Sequence, residues 1–226
     1  MAAVREPLAQ AAAEQPLGGC GTGGIGLWLA RALAVRLEAF DLSPVAIAHA
    51  ASRRSAFGLP DDRAVFRVAE LENTGLPGAS AHRIVCVDAL GGAVDGQAAL
   101  CELGRVLAPG GRLVMTRASR RGAVPLWMKQ ARACELVIEH VDERPAEPAL
   151  WERVYRLWIA RSDELRHELG EDQARNMLCE AQRMLPKLAS RRAVLLTLRH
   201  EVKAQVASGP ADTMTAPRYL AERTPQ

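Results

Sequence analysis

Three groups of residues in this chain have the types and the spacing to hold a ligand. Gly19-Cys20-Gly21-Thr22-Gly23-Gly24-Ile25-Gly26 is a glycine-rich turn that runs into a helical pattern. Glycine accepts positive φ and lets a backbone approach a ligand closely. A helix N-terminus just beyond offers free N–H groups to an anionic ligand group. The turn alone also fits a dinucleotide fingerprint, through Gly21, Gly23 and Gly26. The carboxylates downstream discriminate. Asp41 falls at the end of the next apolar run, where it can accept both hydroxyls of a ribose. Glu70 ends the run after that, placed to accept from an adenine amino group with Leu71 beside it. Both serve an adenosine moiety, and neither asks for a pyrophosphate or a nicotinamide.

Such residues work only if strands and helices bring them to one edge of a sheet. From residue 23 onward, short apolar runs alternate with longer helical patterns, which argues for β-α-β units. A helix is predicted over 24–34, with Ile25, Trp28, Leu29 and Leu33 at helical spacing as its buried face. A strand follows over 35–40. Ser43 then reads as an N-cap and Pro44 as a first-turn residue of a helix reaching Phe57. Strands are predicted over 65–69, 84–87, 112–116, 136–141 and 193–198. A helix over 97–107 stops at Pro109-Gly110-Gly111, and a helical stretch over 149–188 is broken near Gly170.

The bulk properties fit one such domain. The chain has 226 residues, 49% of them hydrophobic and 24% charged, with a formal charge of +3. The arginines are dispersed, and no basic aromatic track marks a nucleic-acid surface. No stretch is long and apolar enough for a membrane span, and Met1 to Leu17 lack the pattern of a signal peptide. A cytoplasmic location is therefore expected. The five cysteines are scattered without metal spacing, so neither a disulfide nor a zinc site is expected.

Five segments in this order and spacing carry a resemblance to a known family. They are G-C-G-T-G (19–23), F-D-L-S-P (40–44), V-A-E-L (68–71), V-C-V-D-A-L (85–90) and R-V-L-A-P-G-G-R-L (105–113). Over residues 18–117, and more loosely to 200, the chain resembles the class I S-adenosylmethionine-dependent methyltransferases of small molecules. The resemblance implies an α/β fold, a doubly wound, mostly parallel sheet of seven strands in the order 3-2-1-4-5-7-6. The last strand would be antiparallel, with the helical insertion before it. Residues 1–200 would form the domain, with 149–188 as a lid, and 201–226 a flexible tail. The implied cofactor is S-adenosyl-L-methionine. Gly19, Gly21, Thr22 and Gly23 would line its methionine portion. Asp41 would hold the ribose, Leu42 would pack on adenine, and Glu70 and Leu71 would hold the adenine edge. Val87 and Asp88 would lie near the sulfonium. The partner would be a small metabolite, plausibly of secondary metabolism, with a homodimer compatible.

Two features shape the expectation further. The segment before the turn, Ala13-Glu14-Gln15-Pro16-Leu17-Gly18, has little β-propensity, and its proline cannot donate to a ladder. It is nevertheless expected to fill the central slot as a short, imperfect strand, because an empty slot would leave backbone groups unpaired. That weak strand also keeps open an alternative: a methyltransferase fold that has lost methyl transfer and acts as a cyclase, an isomerase or a binding protein. On the substrate side, Trp151, Tyr155 and Trp158 form an aromatic stripe that would serve as pocket wall or as core, and His140 is the candidate for a general base.

Overall fold

The computed structural model describes residues 14–200, so the expected tail at 201–226 lies outside the described residues. In chain order the elements are β1 (Glu14–Gly18), α1 (Gly24–Leu33), β2 (Arg36–Asp41), α2 (Pro44–Ser52), β3 (Ala64–Val68), β4 (Ala81–Cys86) and α3 (Gly96–Val106). They continue with β5 (Leu107–Arg120), α4 (Trp127–Ala133), β6 (Leu136–Glu143), α5 (Glu147–Ala160), α6 (Ser162–Leu169), α7 (Glu171–Leu188) and β7 (Arg191–His200). The seven strands form one sheet in the order β3-β2-β1-β4-β5-β7-β6. Neighbours are parallel except β7, which runs antiparallel to both β5 and β6. The carboxyl ends of β1 to β6 and the amino end of β7 therefore share one edge.

The central slot is filled by the weak segment. β1 pairs with β2 over all five of its residues, from Glu14 opposite Arg36 to Gly18 opposite Phe40. Its ladder to β4 holds only Leu17 opposite Val85 and Gly18 opposite Cys86, beginning just after Pro16. β2, by contrast, buries Leu37, Glu38, Ala39 and Phe40 in succession, as a strand covered on both faces must. Local chemistry starts the helices at the ligand edge. Ser43 accepts a hydrogen bond from the Ala46 N–H at 3.2 Å, with Pro44 in the first turn. Asp95 caps α3, accepting from the N–H groups of Gln97 at 2.9 Å and Ala98 at 3.1 Å.

The main core lies between β4, β5, β7 and the helices α3 and α4, around Ile84, Leu103, Leu113, Met115 and Leu196. A smaller one, around Leu27, Ala30, Leu37 and Ala39, holds α1 to the opposite face. Here the predicted face of α1 is corrected. Gly26, Leu27 and Ala30 are the buried residues, while Ile25, Trp28 and Leu33 are exposed and Leu29 only half-buried. Nearly every residue of this helix is apolar or glycine, so periodicity could not select a face. Small residues let it sit close on the sheet. A second correction concerns cysteine: Cys101 on α3 and Cys134 at the end of α4 form a disulfide. The two residues are 33 apart in sequence, and only the packing of α3 on α4 brings their Cα atoms to 4.7 Å. The α2 helix is also shorter than predicted, ending at Ser52 before a single 3₁₀ turn at Ser55–Phe57.

Candidate functional site

A cavity of about 320 Å³ opens where β1, β2, β3 and β4 end, at the crossover between the two halves of the sheet. That is where ligands of open α/β sheets sit, and the volume falls in the range of small-molecule sites. Its floor is the glycine turn. Gly19 has φ +65°, and a Cβ there would come within 2.2 Å of the Ala89 Cβ. Gly21 has φ +52° with open space where its Cβ would be, so the turn leaves a hollow there. The Gly21 N–H donates to Asp41 Oδ2 at 2.8 Å, and the Ser43 N–H donates to Asp41 Oδ1 at 2.9 Å. One carboxylate thus ties the β1 turn to the β2 turn. Each of its oxygens retains a further lone pair for a ligand hydroxyl.

Leu42, Glu70, Leu71 and Asp88 complete the wall, with Leu42 68% exposed and so free to pack on something else. Asp88 holds a positive φ of 53°. It is fixed there by Thr116, whose hydroxyl oxygen accepts from the Asp88 N–H at 2.7 Å and whose proton goes to Asp88 Oδ1 at 2.9 Å. A left-handed non-glycine residue held in place at a strand end is the kind of local strain that clusters at functional sites.

Other predicted residues lie elsewhere. Thr22 faces α2, where its carbonyl and hydroxyl accept from Arg53 Nη1 at 2.9 and 3.1 Å. Gly23 caps α1 and lies against Ala50, so it shapes the turn without lining the cavity. Val87 ends the β4 turn outside the lining. His140 is exposed on β6, the edge strand. With β5 and β7 between it and β4, strand spacing alone separates His140 from the cavity by roughly 14 Å. It is not positioned as a base.

The aromatic stripe is likewise core rather than cavity wall. Trp151 and Trp158 flank Tyr155 with ring centroids at 5.3 and 5.4 Å, and the three pack with Ala181, Met184 and Leu188 of α7. Tyr155 is 4% exposed, and its hydroxyl donates to Glu180 at 2.9 Å. Burial, then that carboxylate, push the phenol up to about 12.

Sequence reasoning missed the loop after β4. Ala89, Gly92, Ala93 and Val94 line the cavity, and Val94 is fully exposed there. Their position just past a strand's carboxyl end was the available signal. Glu72 also lines it, held below the usual carboxylate range first by the Asp95 N–H, which it accepts at 3.0 Å. The nearby thiols are quiet. Burial first, then the Asp41 charge, push Cys20 up to about 12, and burial pushes Cys86 up to about 11. Among the described residues no cluster of His, Cys, Asp and Glu could hold a metal, and no helix is long and apolar enough to cross a membrane.

Comparison with known proteins agrees with this architecture. A methyltransferase-domain family model matches residues 18–111. The 4+2 cyclase SpnF has a similar structure, with a TM-score of 0.75 and 20% identity, covering 86% of this chain and 78% of that one. A protein assigned as a sarcosine dimethylglycine methyltransferase from Galdieria sulphuraria also matches at 0.75, with 19% identity over 85% of this chain and 79% of that one. A methyltransferase from Geobacter sulfurreducens in complex with S-adenosyl-L-homocysteine matches at 0.63, with 17% identity over 84% and 85%. No curated relative matches the sequence significantly. The fold is the one these structures share, and residues 18–111 carry the match to a methyltransferase domain.

Proposed function

We propose that the chain transfers the methyl group of S-adenosyl-L-methionine to a small molecule. The observation that carries this reading is the cavity at the sheet's crossover, where an open glycine turn, Asp41 and Glu70 stand together. The hollow at Gly21 suits a close-lying aliphatic chain, and Asp41 has lone pairs left for both ribose hydroxyls. Leu42 and Leu71 offer apolar surface to a flat heterocycle, whose amino group Glu70 would accept. The cofactor supplies an electrophilic methyl group when bound. The chain's own residues then contribute binding and alignment: Asp88, locked by Thr116, marks the side from which an acceptor would approach. Methyl transfer can proceed largely by in-line positioning. The cavity's ionisable lining is accordingly all carboxylate, with no histidine or lysine.

The second reading, a fold that binds without methylating, draws on one observation. The β1–β4 ladder holds only two residue pairs, so the turn above it is anchored mainly from the β2 side. Transfer of labelled methyl from S-adenosylmethionine to a panel of small acceptors, with S-adenosylhomocysteine formation as readout, separates the two. Turnover supports transfer. Tight cofactor binding without any turnover across amine, hydroxyl and carbon acceptors would favour the second reading.

A further inference from the structure

The β5–β7 ladder sets arginine opposite arginine at both of its ends, and the two ends are treated differently. At the end away from the ligand edge, Arg112 faces Arg199. Glu139 lies between them, accepting from Arg112 Nε at 2.7 Å and pairing with Arg199 Nε at 3.3 Å. At the ligand edge Arg120 faces Arg191, with Arg121 and Arg192 adjoining. No carboxylate bridges that pair. Glu143 is taken by Arg192, and Glu147 reaches Arg191 only at 3.5 Å. Among the described residues, Arg120, Arg121 and Arg144 have no acidic partner. The Arg191 Nε is buried without a hydrogen-bond partner. Like charges directly opposite on a ladder are destabilising, and the far end shows how this fold relieves that cost with one carboxylate.

Between these residues lies a second cavity, of about 280 Å³, lined by Arg121, Arg144, Arg191, Arg192, Glu143 and Pro148 among others. It stands at the same sheet edge as the first cavity, further along past β4, and that carboxyl edge is where ligands of such sheets bind. Planar guanidinium groups suit the paired oxygens of a carboxylate or phosphate.

We propose that this cleft binds an oxyanion, the carboxylate or phosphate of the small-molecule substrate, in the place that Glu139 fills at the opposite end of the same ladder. The word substrate rests on the methyl-transfer reading; the anion site itself does not. The bound group would sit among Arg121, Arg144 and Arg191.

Isothermal titration of the full chain with inorganic phosphate and, separately, with succinate tests this in a low-salt, amine-based buffer. Saturable binding of at least one is expected, weakening as salt rises. The double variant Arg121→Gln/Arg144→Gln should lose about tenfold or more in affinity, the scale of a lost charge-assisted contact. Its affinity for S-adenosylhomocysteine should stay unchanged, which also reports that the fold is intact. Arg31→Gln, on the exposed end of α1, should bind the anion as the native chain does. Tighter phosphate binding would indicate a phosphate ester, and tighter succinate binding a carboxylic acid. Saturation by neither anion, or equal losses in the double variant and in Arg31→Gln, would overturn the proposal. Failure to bind S-adenosylhomocysteine while the anion still saturates would count against the methyl-transfer reading and leave the anion site standing.

Discussion

Asp41 holds two backbone N–H groups from two different turns, so its carboxylate shapes the cavity before any ligand arrives. Asp41→Ala should therefore weaken S-adenosylhomocysteine binding by about 1.5–3 kcal/mol, the scale for hydrogen bonds to a charged group. Unchanged affinity in calorimetry would show that the ribose lies elsewhere. The glycines can be ranked the same way. At Gly19 an added methyl meets Ala89 at 2.2 Å on top of a positive φ, whereas at Gly21 only the φ is unfavourable. Gly19→Ala should cost stability by roughly 1–3 kcal/mol more than Gly21→Ala, since overpacking adds to the backbone strain. Equal melting temperatures for the two variants would contradict that order. These positions were legible in sequence because a turn needing positive φ and a carboxylate ending a strand leave unambiguous residues. Thr22 was not: nothing local says that its hydroxyl faces Arg53, just past α2, rather than the cavity.

At the scale of elements, the helical stretch between β6 and β7 was visible as a pattern, but its apolar stripe did not say what it packs against. Trp151, Tyr155 and Trp158 find α7, because α5 and α7 are close enough to bury one another's faces. Tyr155→Ala should then destabilise the chain by about 3–5 kcal/mol, as aromatic truncation in a core does. Its affinity for S-adenosylhomocysteine should stay near native. A folded variant with native melting temperature and lost ligand affinity would return the stripe to the cavity. The loop after β3 is held to α3 by Glu102, which accepts from the Thr74 N–H at 3.0 Å and its hydroxyl at 2.6 Å, and pairs with Arg105. Arg105 first, with Thr74 assisting against burial, lowers the Glu102 carboxyl to about 2 from its usual 4.5. A depressed folded pKa gives stability that is present above about pH 4.5 and lost as pH falls toward about 2. Glu102→Gln should flatten the fall in melting temperature across that window; an unchanged pH profile would contradict this origin.

Across the whole molecule, alternating apolar runs were enough to indicate an α/β sheet, and five landmark segments were enough to orient it. Three features escaped because they depend on packing between distant segments. α1 is apolar on nearly every side, so its buried face is chosen by the small residues that fit the sheet. The Cys101–Cys134 pair exists only because α3 meets α4. The arginine cleft needs the antiparallel register of β5 with β7, which puts residues 120 and 191 side by side. What unites the sheet with the proposed site is the central slot: β1, short and proline-bearing, still seats the glycine turn opposite Asp41. Calorimetric titration of the folded full chain with S-adenosylhomocysteine tests that claim most directly. Saturable binding at one site per chain, reduced by Asp41→Ala, is the predicted result. A folded chain that takes up no ligand even at about millimolar concentration, some 4 kcal/mol of binding free energy, would contradict it.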